Sequence, residues 1–316
     1  MSLSIQLKSI INFYIKLENI TGLLISAGKS LGRIGGSDVE TVSIEREYKC
    51  ENKEREYKCE NKQITVKVPY IPGSSIKGRM RSLLEVALGL KLYSSDKKIW
   101  SHTLSMSSFK NFTERISEDE FLKELISTDL DRVFGYGAFQ LNDIKNTQLL
   151  QSLLTVLTPT SFLVEDFFPD DNVVCSIYNV VCSIYKENAM VTFDDFLEDK
   201  NENRIDRITS TADPRTISRV KPGVTFTGKF SLLIYDKSMN KIVDYVELIK
   251  KGMGLLENTY LGAAGSRGYG RVKFKEIVVK VYNPKTMKEE EVDKYENVEK
   301  IDSNKISEAV KKFSVQ

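Results

Sequence analysis

Cations crowd the start of one predicted helix, in the stretch YIPGSSIKGRMRSLLE at residues 70–85. Apolar residues recur there at helical spacing, namely Ile76, Met80, Leu83, Leu84, Ala87 and Leu88. Because a helix N-terminus carries partial positive charge, cations in its first turns are unfavourable unless an anion is close. We therefore predict a phosphate site, the alternative being a solvated basic helix start. The candidate ligands are two serines able to N-cap the helix and three cations, Ser74, Ser75, Lys77, Arg79 and Arg81.

A second candidate segment, YLGAAGSRGYGRV at residues 260–272, is rich in glycine. Glycines let backbone N–H groups approach a phosphodiester closely, and a tyrosine there can stack on a base. The candidate RNA contacts in this segment are Ser266, Arg267, Tyr269 and Arg271. Because two separate elements carry glycines and cations, we interpret them as parts of one RNA-binding site.

A third segment, NENRIDRITSTADPRTISR at residues 201–219, interleaves arginines with isoleucines. It is either a solvated hairpin or an extended arm that grips phosphates and wedges apolar tips between bases. The arginines that would grip the phosphates are Arg207, Arg215 and Arg219.

Three further features bear on catalysis. Asp38 lies in the glycine-rich stretch at residues 31–40, which is either a plain turn or a loop that places an acid over a bound backbone. The stretch GLLISAGKS at residues 22–30 is not a P-loop, because five residues rather than four separate the glycine from GKS. The single histidine, His102, excludes a two-histidine ribonuclease mechanism, and we expect it to be a packing or a surface residue rather than a catalyst.

The elements that must position these residues show strand or helix periodicity. In chain order they are a strand at 5–17, a helix at 75–91, strands at 161–168 and 224–234, a helix at 242–256 and a strand at 270–282. This order is that of the ferredoxin-like fold, a scaffold of many RNA-recognition modules. We therefore predict an α+β fold with long polar inserts and an exposed tail helix after Pro284.

The composition is that of a globular protein, with 316 residues of which 41% are hydrophobic. Since the net charge is only +2, any nucleic-acid surface must be a local patch. No run of 18 apolar residues occurs and the N-terminal stretch lacks a signal-peptide core. We expect a cytoplasmic protein without membrane contact.

All four cysteines lie in exact tandem duplications. EREYKCENK occurs at 45–53 and 54–62, and NVVCSIY occurs at 172–178 and 179–185. The absence of a CxxC pair argues against a zinc site, and the absence of an export signal argues against a disulfide framework. We interpret both duplications as peripheral insertions in loops or hairpins, where added length costs little.

Three motifs, IPGSSIKGRMRSLLE, RIDRITSTADPRTISR and YLGAAGSRGYGRV, resemble in order and spacing the RAMP superfamily of CRISPR-associated proteins. The similarity extends over most of residues 5–282 and is to the backbone subunits of type III Csm effector complexes. It implies a ferredoxin-like palm with long insertions and a protruding thumb hairpin. The implied bounds are a palm at 1–25, 69–91, 159–168 and 223–282, insertions at 26–68 and 92–158, a thumb at 169–222 and a C-terminal tail at 283–316.

The resemblance also implies a function. Such subunits polymerise along a CRISPR RNA beside other type III subunits, and their thumbs kink the guide–target duplex at regular intervals. Asp38 falls at the family's catalytic and metal-binding position, which supports cleavage of target RNA with a divalent ion, magnesium or manganese. The RNA contacts fall on the helix start at Ser74, Ser75, Lys77, Arg79 and Arg81, on the thumb at Arg207, Thr209 and Arg215, and on the glycine-rich loop at Ser266, Arg267 and Tyr269.

Because a single carboxylate cannot supply full acid–base catalysis, the implied mechanism depends on in-line attack of the 2′-hydroxyl and on the metal ion. The sequence departs from the family pattern at Leu24, where relatives often carry a histidine, and in a long insert between Asp38 and Pro72. Two alternatives stay open. One is a purely structural backbone subunit that holds the duplex without cutting it. The other is a stand-alone guide-processing ribonuclease, which the lone histidine disfavours.

Overall fold

The computed structural model describes residues 4–26, 41–50, 62–94, 98–102, 123, 127–137, 146–185 and 190–314. The strands are β1 (Leu7–Asn19), β2 (Ser43–Cys50), β3 (Lys62–Pro69), β4 (Phe162–Val164), β5 (Phe168–Pro169), β6 (Leu197–Ile205), β7 (Ala212–Val220), β8 (Thr225–Tyr235), β9 (Val272–Asn283) and β10 (Lys288–Tyr295). The helices are α1 (Gly73–Ala87), α2 (Asp129–Phe134), α3 (Thr147–Val156), α4 (Asp171–Tyr185), α5 (Ile242–Asn258) and α6 (Ser303–Ser314). Within these ranges no helix combines the length and the apolar character needed to cross a membrane.

A mixed α+β body is built on one antiparallel sheet, whose strand order is β10-β9-β1-β8-β4, with β5 paired to another part of β8. Strand β1 is central because it pairs along its length with both β8 and β9. Alternate side chains of β1, including Ile11, Phe13 and Ile15, are buried in one core with residues of α1, α5 and α6. The strand periodicity predicted from the sequence is confirmed, and it assigns one face of the sheet to the core.

The start of helix α1 differs from the prediction. The helix begins at Gly73 with Pro72 as the N-cap residue and without a side-chain cap, so the predicted serine cap is wrong. The N–H of Gly73 donates instead to Oδ1 of Asp166 at 2.8 Å, which brings a carboxylate to the positive end of the helix. A glycine is required because a β-carbon at this position would lie 2.3 Å from the carbonyl oxygen of Val164.

Replacing Gly73 with alanine is expected to lower the free energy of unfolding by about 1–3 kcal/mol, because the added methyl group meets backbone atoms that cannot move aside easily. Urea unfolding measures the change. Gly78→Ala in the same helix is the matched control, since a β-carbon there meets no atom within 4 Å. The control is expected to be stabilised by up to about 1 kcal/mol, as alanine is the better helix former. Equal stability of the two variants would contradict the close approach at Gly73.

A second, smaller hydrophobic cluster lies where the β2–β3 hairpin packs against α4. Both copies of NVVCSIY lie in the continuous helix α4, and the first copy of EREYKCENK begins inside β2. The interpretation of the duplications as loop insertions is therefore wrong for α4. Seven residues make almost two helical turns, so the copy lengthens the helix while leaving its apolar face in nearly the same direction.

The expectation that the cysteines form no disulfide is also wrong. Cys50 of β2 and Cys175 of α4 are joined by a disulfide, with their Cα atoms 5.2 Å apart. The expectation failed because it relied on the absence of an export signal. That criterion does not predict which cysteines come into contact in the fold, and these two are 125 positions apart in the chain.

The segment after Pro284 is not an exposed tail. Strand β10 extends the sheet beside β9, and α6 buries Ile306, Val310 and Phe313 in the main core. The abundance of lysine and glutamate suggested exposure. The i, i+4, i+7 spacing of these three apolar residues is the signal that predicts a packed helix.

Candidate nucleic-acid interface

Strands β6 and β7 form a two-stranded hairpin, separate from the main sheet, whose distal residues are exposed. The register pairs Glu202 with Arg215 and Glu198 with Arg219. Since side chains alternate between the two faces of a strand, these four residues share one face. Over residues 197–220 the acids equal the cations in number, so the hairpin has no net charge that would attract phosphates.

The base of this hairpin meets the glycine-rich loop around Tyr269. The Tyr269 hydroxyl donates to Oε1 of Glu202 at 2.7 Å, and its ring packs in a small apolar cluster with Ile217. The guanidinium carbon of Arg219 lies 4.3 Å from the ring centroid, and Nζ of Lys200 lies 4.5 Å from it. Two motifs that are separate in the sequence therefore form one continuous surface.

Tyr269 does not have the position that base stacking requires. The residue is fully buried, and burial together with the Glu202 carboxylate raises the pKa of its hydroxyl. An aromatic side chain in a glycine-rich loop can stack on a base or pack inside the protein, and the ring of Tyr269 packs beneath the hairpin. In this structure Tyr269 joins the hairpin to the body, and the predicted stacking role is corrected accordingly.

Glu202 holds two of the predicted arginines. Its Oε2 accepts from Nη2 of Arg215 at 2.8 Å and lies 3.4 Å from Nη1 of Arg267. The hydrogen bonds from Tyr269 and Arg215, with the charge of Arg267, lower the pKa of the Glu202 carboxyl. Both arginine side chains stay nearly half exposed, so their outer edges can take a phosphate oxygen while Glu202 fixes their positions.

The tip of the hairpin is a turn closed by Asp206. Its Oδ1 accepts from the N–H groups of Ile208 and Thr209 and from the hydroxyl of Thr209, at 2.7–3.0 Å. Thr209 therefore shapes the turn. Ile208 is 94% exposed at the apex and Arg207 beside it is also exposed, which fits both the solvated hairpin and the arm that the sequence left open.

At the start of α1 the three cations have internal partners. Nε of Arg81 donates to Glu85 at 2.9 Å, and its two Nη atoms donate to Oδ1 of Asp131 at 2.6 Å and to the Gly135 carbonyl at 2.7 Å. Both carboxylates are buried. His102, buried beside them with Nε2 3.4 Å from Asp131, packs as expected.

Lys77 and Arg79 contact backbone carbonyls instead of carboxylates. Nζ of Lys77 donates to the Phe162 carbonyl at 2.7 Å, and burial together with the nearby charge of Arg81 lowers its pKa to about 8. Nε of Arg79 donates to the Tyr260 carbonyl at 3.1 Å, and its guanidinium lies 4.2 Å from the centroid of the Tyr260 ring. Arg79 thus links the helix start to the beginning of the glycine-rich loop.

These contacts remove the physical reason for placing a phosphate at the start of α1. The anion that the helix end requires is Asp166, and the anions that Arg81 requires are Glu85 and Asp131. The described contacts of Arg81 are structural, and its assignment to RNA stays a prediction. Ser74 is exposed in the first turn and Ser75 is half-buried beside it.

The other predicted residues divide between exposed positions and positions that the structure does not describe. Ser266 and Arg271 are exposed on or beside the glycine-rich loop. Asp38, the predicted catalytic and metal-binding residue, lies outside the described residues. Among the described residues no group of three His, Cys, Asp or Glu side chains could hold a metal ion. The described geometry therefore assigns no metal ligands.

Sequence reasoning missed Glu202 and Tyr260. Glu202 contacts Arg215 and Arg267, and Tyr260 contacts Arg79, all cations that the sequence did single out. Glu202 had a detectable signal, because in a hairpin closed between residues 205 and 212 it stands opposite Arg215. Tyr260 had none, since its contact with Arg79 joins residues 181 positions apart.

Comparisons with known proteins agree with the motifs. A family model described as the RAMP superfamily matches residues 16–273. The chain is 31% identical over 260 residues to the CRISPR system Cms endoribonuclease Csm3 of Methanothermobacter thermautotrophicus, covering 82% of this chain and 81% of the relative. It is 29% identical over 229 residues to the protein of the same name from Streptococcus thermophilus, covering 70% and 78%. Among solved structures it is similar to a chain of the Csm3-Csm4 subcomplex in the type III-A CRISPR-Cas interference complex, with a TM-score of 0.45, 17% identity and 97% of each chain covered.

Proposed function

The chain belongs to the RAMP superfamily, and from this premise we propose that it is a CRISPR RNA-binding backbone subunit of a type III interference complex that also cleaves bound target RNA at regular intervals. Its partners are the CRISPR RNA, the target RNA, further copies of itself and other effector subunits. The observation that carries the proposal is the similarity to proteins named CRISPR system Cms endoribonuclease Csm3, which extends over 82% of the chain.

We also propose that the palm is ferredoxin-like, and the fold is consistent with this. Without β10 the order of the sheet is β9-β1-β8-β4, with α1 between β1 and β4 in the chain and α5 between β8 and β9. That order and those two helical connections support a split βαβ arrangement. The β6–β7 hairpin, with its exposed isoleucine tip, supports the role of a thumb that wedges into a duplex.

The decisive experiment is reconstitution. The full chain is expressed with the other effector subunits and a CRISPR RNA, purified as a complex and given a labelled complementary target. The expected result is a ladder of target fragments with constant spacing. A complex that binds the target but leaves it intact would support the non-catalytic backbone subunit. Cleavage of repeat RNA by the isolated chain would support the guide-processing ribonuclease.

We propose that the cleavage depends on a divalent ion. The support is chemical, since a carboxylate such as that of Asp38 and the RNA phosphates supply the oxygen ligands that magnesium and manganese prefer. Chelation with EDTA is expected to stop cleavage and to leave target binding in place, and added magnesium or manganese is expected to restore it. Undiminished cleavage after chelation would contradict the proposal.

RNA binding is expected to depend on salt through the exposed arginines. Replacing Arg207 and Arg271 with glutamine should reduce the slope of log affinity against log salt by about 1.4, if each neutralises one phosphate of a single strand. Fluorescence titration of the complex at several salt concentrations measures the slope. Lys77→Gln is the matched control, because its ammonium group is partly buried against a carbonyl and should leave the slope unchanged. A slope that responds to Lys77 and not to the arginine pair would return the phosphate site to the helix start.

A further inference from the structure

The small hydrophobic cluster beside the sheet connects the β2–β3 hairpin to the base of the thumb. The hairpin contributes Tyr48 and Val68, α4 contributes Val174 and Tyr178, and Phe196 lies directly before strand β6. All five side chains are buried. Helix α4 and the residue that leads into the thumb hairpin therefore share one buried cluster.

One disulfide crosses this cluster. It joins Cys50, at the end of β2, to Cys175 in the second turn of α4, and the Cα separation of 5.2 Å is typical of disulfide-bonded pairs. Cys50 is buried and Cys175 is half-buried. Cys182, two turns further along α4, is also disulfide-bonded, and no cysteine in the described ranges is free.

The duplication in α4 explains how two cysteines of one helix come to point in nearly the same direction. Seven residues turn through about 700°, which is 20° short of two full turns, and advance the helix by about 10.5 Å. Cys182 therefore repeats the direction of Cys175 two turns away. Val174, Tyr178 and Cys182 form the buried face.

The same geometry excludes one shared metal site for the two helix cysteines. Two thiolates on a zinc ion lie within about 4.6 Å of each other, since each zinc–sulfur bond is about 2.3 Å. Cysteine side chains cannot close a gap of about 10.5 Å between their Cα atoms to that distance. The described geometry therefore favours pairwise thiol chemistry.

We propose that Cys50 and Cys175 form a redox-responsive cross-link that holds α4, and with it the base of the thumb, against the β2–β3 hairpin. The oxidant is a small disulfide of the glutathione class. One cysteine thiolate attacks this disulfide and releases one thiol, and the second thiolate displaces the other thiol from the mixed disulfide. Two electrons pass from the cysteines to the small disulfide, and the two cysteine protons end on the released thiols.

The test measures linkage and local stability in the full chain. The protein is equilibrated with oxidised or with reduced glutathione, and peptides are mapped without reduction. A cross-linked peptide containing Cys50 and Cys175 is expected in the oxidised sample only. Amide hydrogen exchange in β2 and α4 is expected to accelerate at least about tenfold on reduction, while β1 and β8 keep their protection.

Two variants assign the effect to this pair. Cys50→Ala/Cys175→Ala should remove the redox response of β2 and of the first turns of α4. Cys182→Ala should retain it. If the double variant does not fold, wild type with and without reductant still decides the matter. Free thiols at Cys50 and Cys175 after equilibration with oxidised glutathione would overturn the proposal, and so would a linked pair whose reduction leaves exchange in β2 and α4 unchanged.

Discussion

Replacing Asp38 with alanine in the assembled complex is expected to slow cleavage of target RNA by about 10²–10⁴-fold without weakening guide or target binding. The proposed reaction is attack of a 2′-hydroxyl on the adjacent phosphate. A carboxylate that orients this hydroxyl or holds a cation acts on the transition state and contributes little to binding of the duplex. The loss should therefore appear in the single-turnover cleavage rate, and the dissociation constant of the target should stay at the wild-type value.

Two further variants show whether the effect comes from the carboxylate of Asp38 itself. Asp38→Asn keeps the size of the side chain and removes its charge, so a loss equal to that of alanine assigns the effect to the carboxylate. Asp244→Asn is the control, since Asp244 is an exposed carboxylate on α5 that pairs only with Lys241 among the described contacts. Regular-interval cleavage that persists in Asp38→Ala with unchanged binding would remove Asp38 from the reaction and favour another residue or subunit as the catalyst.

Most of the main sheet was predictable because β1, β8, β9, α1 and α5 each carry their own periodicity, whereas β10 was missed. The alternation in β1 and the helical spacing in α1 and α5 record which side of each element is buried, and that information is local. Their ends shifted by a few residues. Helix α1 was predicted to extend to residue 91 and stops four residues earlier, at Ala87, and the single strand predicted at 161–168 is divided into the short strands β4 and β5.

The partners of the site residues were not predictable, because they come from distant parts of the chain. Arg81 meets Asp131 fifty positions away, and Gly73 meets Asp166 ninety-three positions away. A cation whose partner is hidden in this way looks like a cation awaiting a ligand. A phosphate was predicted at the start of α1 because the sequence does not reveal these carboxylates as the partners of the helix end and of Arg81.

Helix α4 was missed for a different reason. Its repeated VVCSIY is rich in β-branched residues, which have low intrinsic helix propensity, and its exact duplication suggested a loop. Tertiary packing overrides such propensities when one face of the helix is buried. The seven-residue period of the duplication was the overlooked signal, since it preserves that face.

Replacing Arg81 with methionine is expected to lower the free energy of unfolding by about 3–5 kcal/mol, the cost typical of removing one partner from a buried ion pair. Glu85 and Asp131 have side-chain exposures of 6% and 2%, and Arg81 contacts both. Without the guanidinium the two carboxylates would be left in a poorly solvated site. Urea denaturation of the full chain measures the loss.

Arg79→Met is the matched control for this variant. It is a cation in the same helix, and the contacts of its guanidinium are a carbonyl and a ring rather than a buried carboxylate. Its removal leaves no buried charge, so the loss of stability should be below about 1.5 kcal/mol. The triple variant Arg81→Met/Glu85→Gln/Asp131→Asn tests the cause directly, because neutral amides in place of the stranded carboxylates should recover most of the stability lost by Arg81→Met.

The same variants separate a structural cation from one that binds RNA. If Arg81 serves Glu85 and Asp131, the folded fraction of Arg81→Met should bind guide RNA with wild-type affinity and an unchanged salt slope. If Arg81 binds a phosphate, its removal should leave stability nearly intact and reduce the slope by about 0.7. The structural role thus predicts a loss of stability with an unchanged salt slope, and the RNA-binding role predicts the reverse, so a single purified variant distinguishes them.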